Sequence, residues 1–373
     1  NFFNKMMISF VHFALLITTV SSCTDFMMNF TNFKFSGRTL DLGTTANWTI
    51  TKWPRHLNIQ ENADFSTSVL PTDKKEDLEK VRSVITWPSK YGVIGVSANW
   101  FGDSHYWFPI FFGDSLNEKG LSCSLLALVD TQYEEKSSDR DNIFAGTFCH
   151  YITQNYANVQ EVYDNLNNFN IYGPDALAQH YILRDSNGLS LVIECVKGKK
   201  VAYLDNNDGK SFFGITTNEP TLDWHLQNIQ HYQWKRTLAR QSIAIPGNFY
   251  PEERFLRAYM IKDGMQNANL MTETNTYQRA FGLTAQVLNS VNVPEGEQYG
   301  TDSGDSSGEG QGDHTSWAVI RDHSTPALYW RDASNPTFRK IDLRNINFER
   351  RDNTRSKILL EEGPYFVDVT SNL

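Results

Sequence analysis

Short segments of strand period recur along most of this chain, and that pattern restricts its fold more than any other feature. Alternating, apolar-rich runs occupy residues 24–30, 35–42, 81–87, 92–100, 108–112 and 121–129. Spacings of three and four then predict helices over 143–151 and 159–169. Strands return at 180–183, 189–196 and 200–204, the first two joined as a hairpin by Ser186-Asn187-Gly188. Helices are expected over 222–238, from Pro251 to 263, and over 276–291. Closing strands are expected at 315–321, 327–331 and 339–343. Blocks of strands and blocks of helices alternate without a regular strand–helix–strand repeat. The expected class is therefore α+β, with antiparallel sheets layered against helices. The aromatic fraction of 13% suits a β-rich core.

The second constraint sits near the start. Lys5 and a mostly apolar run from Met6 to Val20 read as a secretory leader, too short for a comfortable membrane span of about 20 apolar residues. Val20-Ser21-Ser22 is a small-residue cleavage site, and Cys23 follows it. Cleavage there would leave one residue with both a free thiol and a free α-amine. These groups titrate near about 8.5 and roughly 7.7–8.0, so each can exchange a proton with the other near neutral pH. A nucleophile and its base would share one Cα. The expected organisation is a removed leader, 1–22, and one domain, 23–373, in which no linker marks a second unit. A lipid tether on Cys23 is the rival reading. The structured-looking sequence that follows at once, with no polar linker, weighs against it.

The remaining features narrow the chemistry. A formal net charge of −9 argues against a broad basic surface for nucleic acid. The four cysteines, at 23, 123, 149 and 195, show no metal-ligand spacing, and any pairing among the last three is open. His105, His150, His180, His225 and His314 lack His-x-x-x-His spacing, so neither metal nor cofactor is expected. Gly304-Asp305-Ser306-Ser307-Gly308 fits a serine-hydrolase elbow, but lies in an acidic polar loop instead of a strand–helix turn. Asp302, Asp305 and Asp313 lack calcium-loop spacing. Asn29 and Asn47 head candidate glycosylation sequons.

Six separated motifs, in order, resemble the choloylglycine hydrolase family of N-terminal nucleophile hydrolases. They are Cys23-Thr24-Asp25-Phe26, Gly37-Arg38-Thr39-Leu40-Asp41, and Asn117-Glu118-Lys119-Gly120-Leu121. Then come Thr217-Asn218-Glu219-Pro220 with Asp223-Trp224 and Asn228, Arg254-Phe255-Leu256-Arg257-Ala258, and Thr315-Ser316-Trp317 with Asp322. The resemblance implies an αββα four-layer sandwich and hydrolysis of a linear carbon–nitrogen amide bond. It implies Cys23 as nucleophile, with Arg38 and Asp41 beside it, Asn218 in an oxyanion hole, and Arg254 at the site.

The chemistry of these residues fits the implied roles. Arg38 near the sulfur would favour thiolate. Asp41 would hold and orient the α-ammonium. It lies three residues from Arg38, so strand alternation requires a bulge or strand end if both are to serve one site. The Asn218 amide can donate to an oxyanion without changing charge. Arg257 falls one position off and reads as structural. The family position usually filled by Asn or Tyr is Ala127 here. Its backbone N–H can still serve the oxyanion, but a polar or aromatic pocket contact is gone. Aromatic side chains around 100–112 could line an acyl pocket or form plain core.

The expected partner is a small-molecule N-acyl amide. Neither nucleic acid nor a stable membrane span is expected, and relatives suggest a homo-oligomer. The expected location is secreted or endolysosomal. The alternative is a catalytically silent, secreted or lipid-tethered acyl-ligand-binding protein. Whether a signal peptidase or self-cleavage frees Cys23 is open.

Overall fold

The computed structural model describes residues 23–42, 47–61, 67–70, 85–99, 112–174, 177–206, 213–239, 244–296, 314–349, 357–361 and 363–367. Two large antiparallel sheets carry the fold. The first runs Ile215–Thr217, Thr24–Asn29, Lys34–Asp41, Thr315–Asp322, Ala327–Asp332, Arg339–Asp342 in spatial order. The second runs Lys199–Asp205, Ser190–Val196, Gln179–Arg184, Ser122–Ala127, Phe112–Asn117, Val93–Asn99, Asn47–Trp53, Lys357–Leu359. The helices Pro251–Asn267 and Tyr277–Val291 pack on the first sheet, and Phe148–Asn155 packs on the second. The layers are helix, sheet, sheet, helix, as the α+β αββα expectation requires. Among the described residues no helix is long and apolar enough to cross a membrane.

Local sequence explains the layers. Tyr277–Val291 buries Ala280, Leu283, Val287, Leu288 and Val291, which recur at helical spacing. Thr276 caps it, accepting from Arg279 N at 3.3 Å. Between the sheets, Trp48 meets Trp317 edge-on at 5.3 Å. Gly37 has to be glycine because it faces Phe26 across the strand pair. A Cβ there would lie 2.4 Å from that ring.

Asn117-Glu118-Lys119-Gly120-Leu121 proves to be a structural turn. Asn117 Oδ1 accepts from Lys119 N at 2.9 Å and Leu121 N at 3.0 Å. Its Nδ2 donates to Thr153 O at 2.9 Å and Tyr156 O at 2.8 Å, tying the turn to the outer helix. Gly120 has φ +87°, and a Cβ there would meet the His323 carbonyl at 2.3 Å.

Some expectations need correction. Ile143 and Phe144 belong to the strand Asp141–Phe144, paired in parallel with Phe169–Tyr172, and the helix begins only at Phe148. The β-branched and aromatic side chains override the helical spacing there. The segments flanking Pro88 do not pair with each other. Thr86–Pro88 joins Asn58–Glu61 in a small sheet, whereas Val93–Asn99 lies inside the large one. Cys123 and Cys149 form a disulfide with Cα atoms 5.2 Å apart, and Cys195 is free and buried. The leader (1–22), the aromatic run from 100 to 111, the Gly304–Gly308 pattern, Asp302, Asp305 and Asp313 lie outside the described residues.

Candidate active site

Two fully buried side chains, Asn218 and Arg254, converge on Cys23 from different parts of the fold. Cys23 stands at the head of the strand Thr24–Asn29, and its backbone nitrogen donates to Asn218 Oδ1. Asn218 follows the edge strand Ile215–Thr217, which pairs with the Cys23 strand through Thr24 and Thr217. Arg254 reaches in from the helix Pro251–Asn267. Its Nη1 donates to Cys23 O at 2.7 Å and also to Thr24 Oγ1, and its Nη2 donates to Asn218 Oδ1 at 3.1 Å. Its Nε holds Phe249 O at 2.8 Å. Arg254 thus fixes the Cys23 backbone and the Asn218 amide together. Arg257 is spread over the carbonyls of Pro246, Ser290 and Asn248, a structural tie as its sequence position suggested.

Arg38 and Asp41 occupy opposite faces of the strand Lys34–Asp41. Arg38 points between the sheets, donating to Gly113 O and to Leu125 O at 2.6 Å, with Trp317 over its guanidinium at 4.9 Å. Asp41 points to the helical side, 3.8 Å from Arg254 Nη1. It accepts from Thr39 Oγ1 at 3.4 Å and Thr315 Oγ1 at 2.5 Å. The expected irregularity exists on the neighbouring strand, whose register against Lys34–Asp41 slips between Thr315 and Trp317. Both residues nonetheless act on the sulfur electrostatically. Burial pushes the Cys23 thiol above its ordinary value. Arg38 is the strongest opposing influence, the Asp41 carboxylate pushes further up, and the Asp41 backbone N–H and Arg254 pull down. The expectation that Asp41 takes the Cys23 nitrogen meets a different geometry, because the acceptor at that nitrogen is Asn218 Oδ1.

Asn218 also reaches the second sheet, donating Nδ2 to Ala127 O at 3.0 Å. Leu128 N donates to Ala178 O at 3.2 Å, and Ala127 lies opposite Gln179. Antiparallel alternation therefore turns the Ala127 N–H away from that neighbour, toward the Asn218 side. The second N–H of Asn218 Nδ2 is a neutral donor on the side chain that also accepts from the Cys23 nitrogen, of the type that can stabilise a developing oxyanion. His225 supports Asn218 from behind, with Nε2 3.2 Å from Asn218 O and its ring stacked on Phe255 at 4.6 Å.

The sequence reading missed a buried ionic cluster beside this site. Asp25 is directly opposite Arg38 in the strand pair, yet its carboxylate is held by Arg184 at 2.7 Å and Arg321 at 2.9 Å. Arg321 also clamps Asp114, which lies 3.5 Å from Arg38. Two-residue alternation from Cys23 to Asp25 was the available signal for one member. The others are distant in sequence. Among the candidate sequons, Asn29 donates Nδ2 to Gly188 O at 2.9 Å. Asn47 opens the strand Asn47–Trp53.

Comparison with known proteins agrees with this architecture. The family described as "Linear amide C-N hydrolases, choloylglycine hydrolase family" matches residues 23–358. A bile salt hydrolase/transferase from Clostridium perfringens is 30% identical over 237 residues, 57% of this chain and 68% of the relative. A penicillin V acylase from Pectobacterium atrosepticum is 24% identical over 334 residues, 83% of this chain and 81% of the relative. In structure, a variant of conjugated bile acid hydrolase from Clostridium perfringens superposes with TM-score 0.69 at 23% identity, covering 91% of this chain and 98% of its own. Penicillin V acylase from Agrobacterium tumefaciens gives TM-score 0.67 at 22% identity, covering 88% of each chain. The chain belongs to the choloylglycine hydrolase family of linear amide carbon–nitrogen hydrolases.

Proposed function

We propose that this hydrolase cleaves the amide of an N-acylated small molecule through Cys23, made the first residue of the mature chain by removal of residues 1–22. The observation that carries this reading is the bond from Arg254 Nη1 to Cys23 O, with Asn218 shared between Arg254 and the Cys23 nitrogen. A cysteine of purely structural role has no need of a buried arginine and an asparagine fixing its backbone on both sides. That the family match begins at Cys23 also supports it.

The Cys23 sulfur attacks the amide carbonyl, its proton passing to the α-amine. The oxyanion rests on Asn218 Nδ2–H and the Ala127 N–H. The α-ammonium protonates the leaving amine as the carbon–nitrogen bond breaks, leaving a thioester. Water, deprotonated by the same amine, then releases the acid and the thiol. Ala127 offers only a methyl group, with nothing polar or aromatic to grip the acyl or amine portion, so the substrate is not assigned from relatives that act on bile salts or penicillin V. Secretion or delivery to an endolysosomal compartment follows from the same leader.

The test is a panel of amides with the processed protein: bile-acid conjugates, phenoxyacetyl amides, N-acyl amino acids and N-acyl homoserine lactones. Release of amine from at least one, abolished by Cys23→Ser with near-UV circular dichroism unchanged, is expected. Binding of these amides without turnover would favour the acyl-ligand binder instead.

A further inference from the structure

The ionic cluster between the sheets has an imbalance that bears on Cys23. Arg38, Arg184 and Arg321 share Asp25 and Asp114, and all five side chains are fully buried, with Asp205 and Lys262 lying beyond them beside Arg184. With both carboxylates ionised these five groups sum to one positive charge. Asp25 is secured as an anion at about 2, because Arg321 and Arg184 outweigh its burial. Burial pushes the Asp114 carboxyl up against the pull of Arg321 and Arg38, so any protonation there widens the excess. Uncompensated charge in a dry interior is costly. An anion placed beside the least paired of these arginines is therefore favoured.

The place of the excess is Arg38. Arg321 reaches both Asp114 oxygens, at 2.9 Å through Nε, and Asp25 at 2.9 Å through Nη2. Arg184 reaches Asp25 and Ser190 Oγ, at 2.7 Å and 2.6 Å. Arg38 has only a 3.5 Å approach to Asp114 and two carbonyls, and its buried Nε finds no acceptor among the described residues. Arg38 is also the strongest cationic influence on the Cys23 sulfur. The other charged groups near Cys23, Asp41 and Arg254, offset each other, with Glu219 beside Arg254. At the far end Asp205 and Lys262 flank Arg184. His323, on Ser36 beside Arg321, is held neutral at neutral pH by burial, titrating at about 3.

We propose that Asp114 and Arg321 are positioning residues for the nucleophile: they hold Arg38 and its charge in place, and through Arg38 they set the pH at which the Cys23 sulfur ionises. This rests on the reading of Cys23 as nucleophile. It assigns the tuning of the sulfur to residues 91 and 298 positions away in sequence, counted from Cys23 to Asp114 and to Arg321.

The test is the pH dependence of Cys23 alkylation by iodoacetamide, read by mass on the peptide containing residue 23 so that Cys195 does not interfere. Asp114→Asn leaves Arg38 undamped and should lower the midpoint by about one pH unit; Arg321→Gln leaves Asp114 to Arg38 alone, removes one positive charge and should raise it by about as much. The double variant Asp114→Asn/Arg321→Gln retains two arginines and one aspartate, the same single excess, and should return to the parent's midpoint. Arg321→Lys keeps the charge and should also match the parent. If Asp114→Asn fails to fold by near-UV circular dichroism, the contrast between Lys and Gln at position 321 decides. Single variants that shift the midpoint the same way or not at all, or a double variant displaced as far as either single, would overturn the proposal. Equal midpoints for Lys and Gln at 321 would overturn it as well. The readout follows the sulfur and uses no substrate. A protein that titrates as expected but hydrolyses no amide would sink the proposed function and leave this inference standing.

Discussion

Arg254 Nη1 donates to the carbonyl oxygen of Cys23 at 2.7 Å, from a helix more than two hundred residues further along the chain. The same guanidinium holds Phe249 O, Thr24 Oγ1 and Asn218 Oδ1. A lysine keeps the charge but cannot aim at four acceptors. Arg254→Lys is therefore expected to lower kcat for amine release by about a hundredfold, as misplacement of a reacting group does. Steady-state kinetics on any turned-over amide checks this, and a kcat within twofold of the parent's would contradict it.

Asn218 faces the nucleophile with its oxygen and the second sheet with its nitrogen. Asn218→Ala removes the acceptor of the Cys23 nitrogen and, on the proposed mechanism, one oxyanion donor. The expected loss is on the order of 10²–10³ in kcat with KM little changed. A raised KM at unchanged kcat would instead make Asn218 a ground-state binding residue.

Acid should weaken the fold through its buried histidines. His150 lies among Trp53, Phe112 and Trp87, at 4.4, 4.6 and 5.8 Å between ring centroids. Neither ring nitrogen has a partner among the described residues, and burial pushes its pKa down to about 3. Unfolded, the ring titrates near about 6.5. Its contribution is complete above that pH and is lost as pH falls through the window from about 6.5 to about 3, because only the unfolded chain gains the proton there. Replacing His150 with Phe removes that proton uptake. The stability of His150→Phe relative to the parent, from urea midpoints, should rise by up to about 1.4 kcal/mol per pH unit between pH 6 and about 4. A difference independent of pH would contradict the reading, and taking the difference cancels the buried carboxyls, which titrate in both proteins.

Much of this was legible in the sequence because it is local. Alternation located the strands around Cys23 and Arg38, and the Pro-led acidic start at Pro251 and the amphipathic spacing over 276–291 located two helices. A period of two places Arg38 and Asp41 on opposite faces, as observed, and the register slip near Thr315 does not bring them to one face. What could not be read is non-local. Asp25, Asp114, Arg184 and Arg321 lie on four strands of two sheets, and nothing in their neighbours marks them as one cluster. Asn47–Trp53 does alternate, but its Asn-Trp-Thr opening read as a sequon and hid the strand. The segment 143–144 shows how side-chain type outweighs spacing when a neighbouring strand is available.

The account stands on Cys23 beginning the working chain with its amine free. Intact mass of the active protein, quenched in acid during turnover of an N-acyl amide, measures this directly. The predicted spectrum holds a chain starting at Cys23 and a second species heavier by the acyl group less one hydrogen. A fully active protein that still carries residues ahead of Cys23, or a blocked amine on it, would contradict the account.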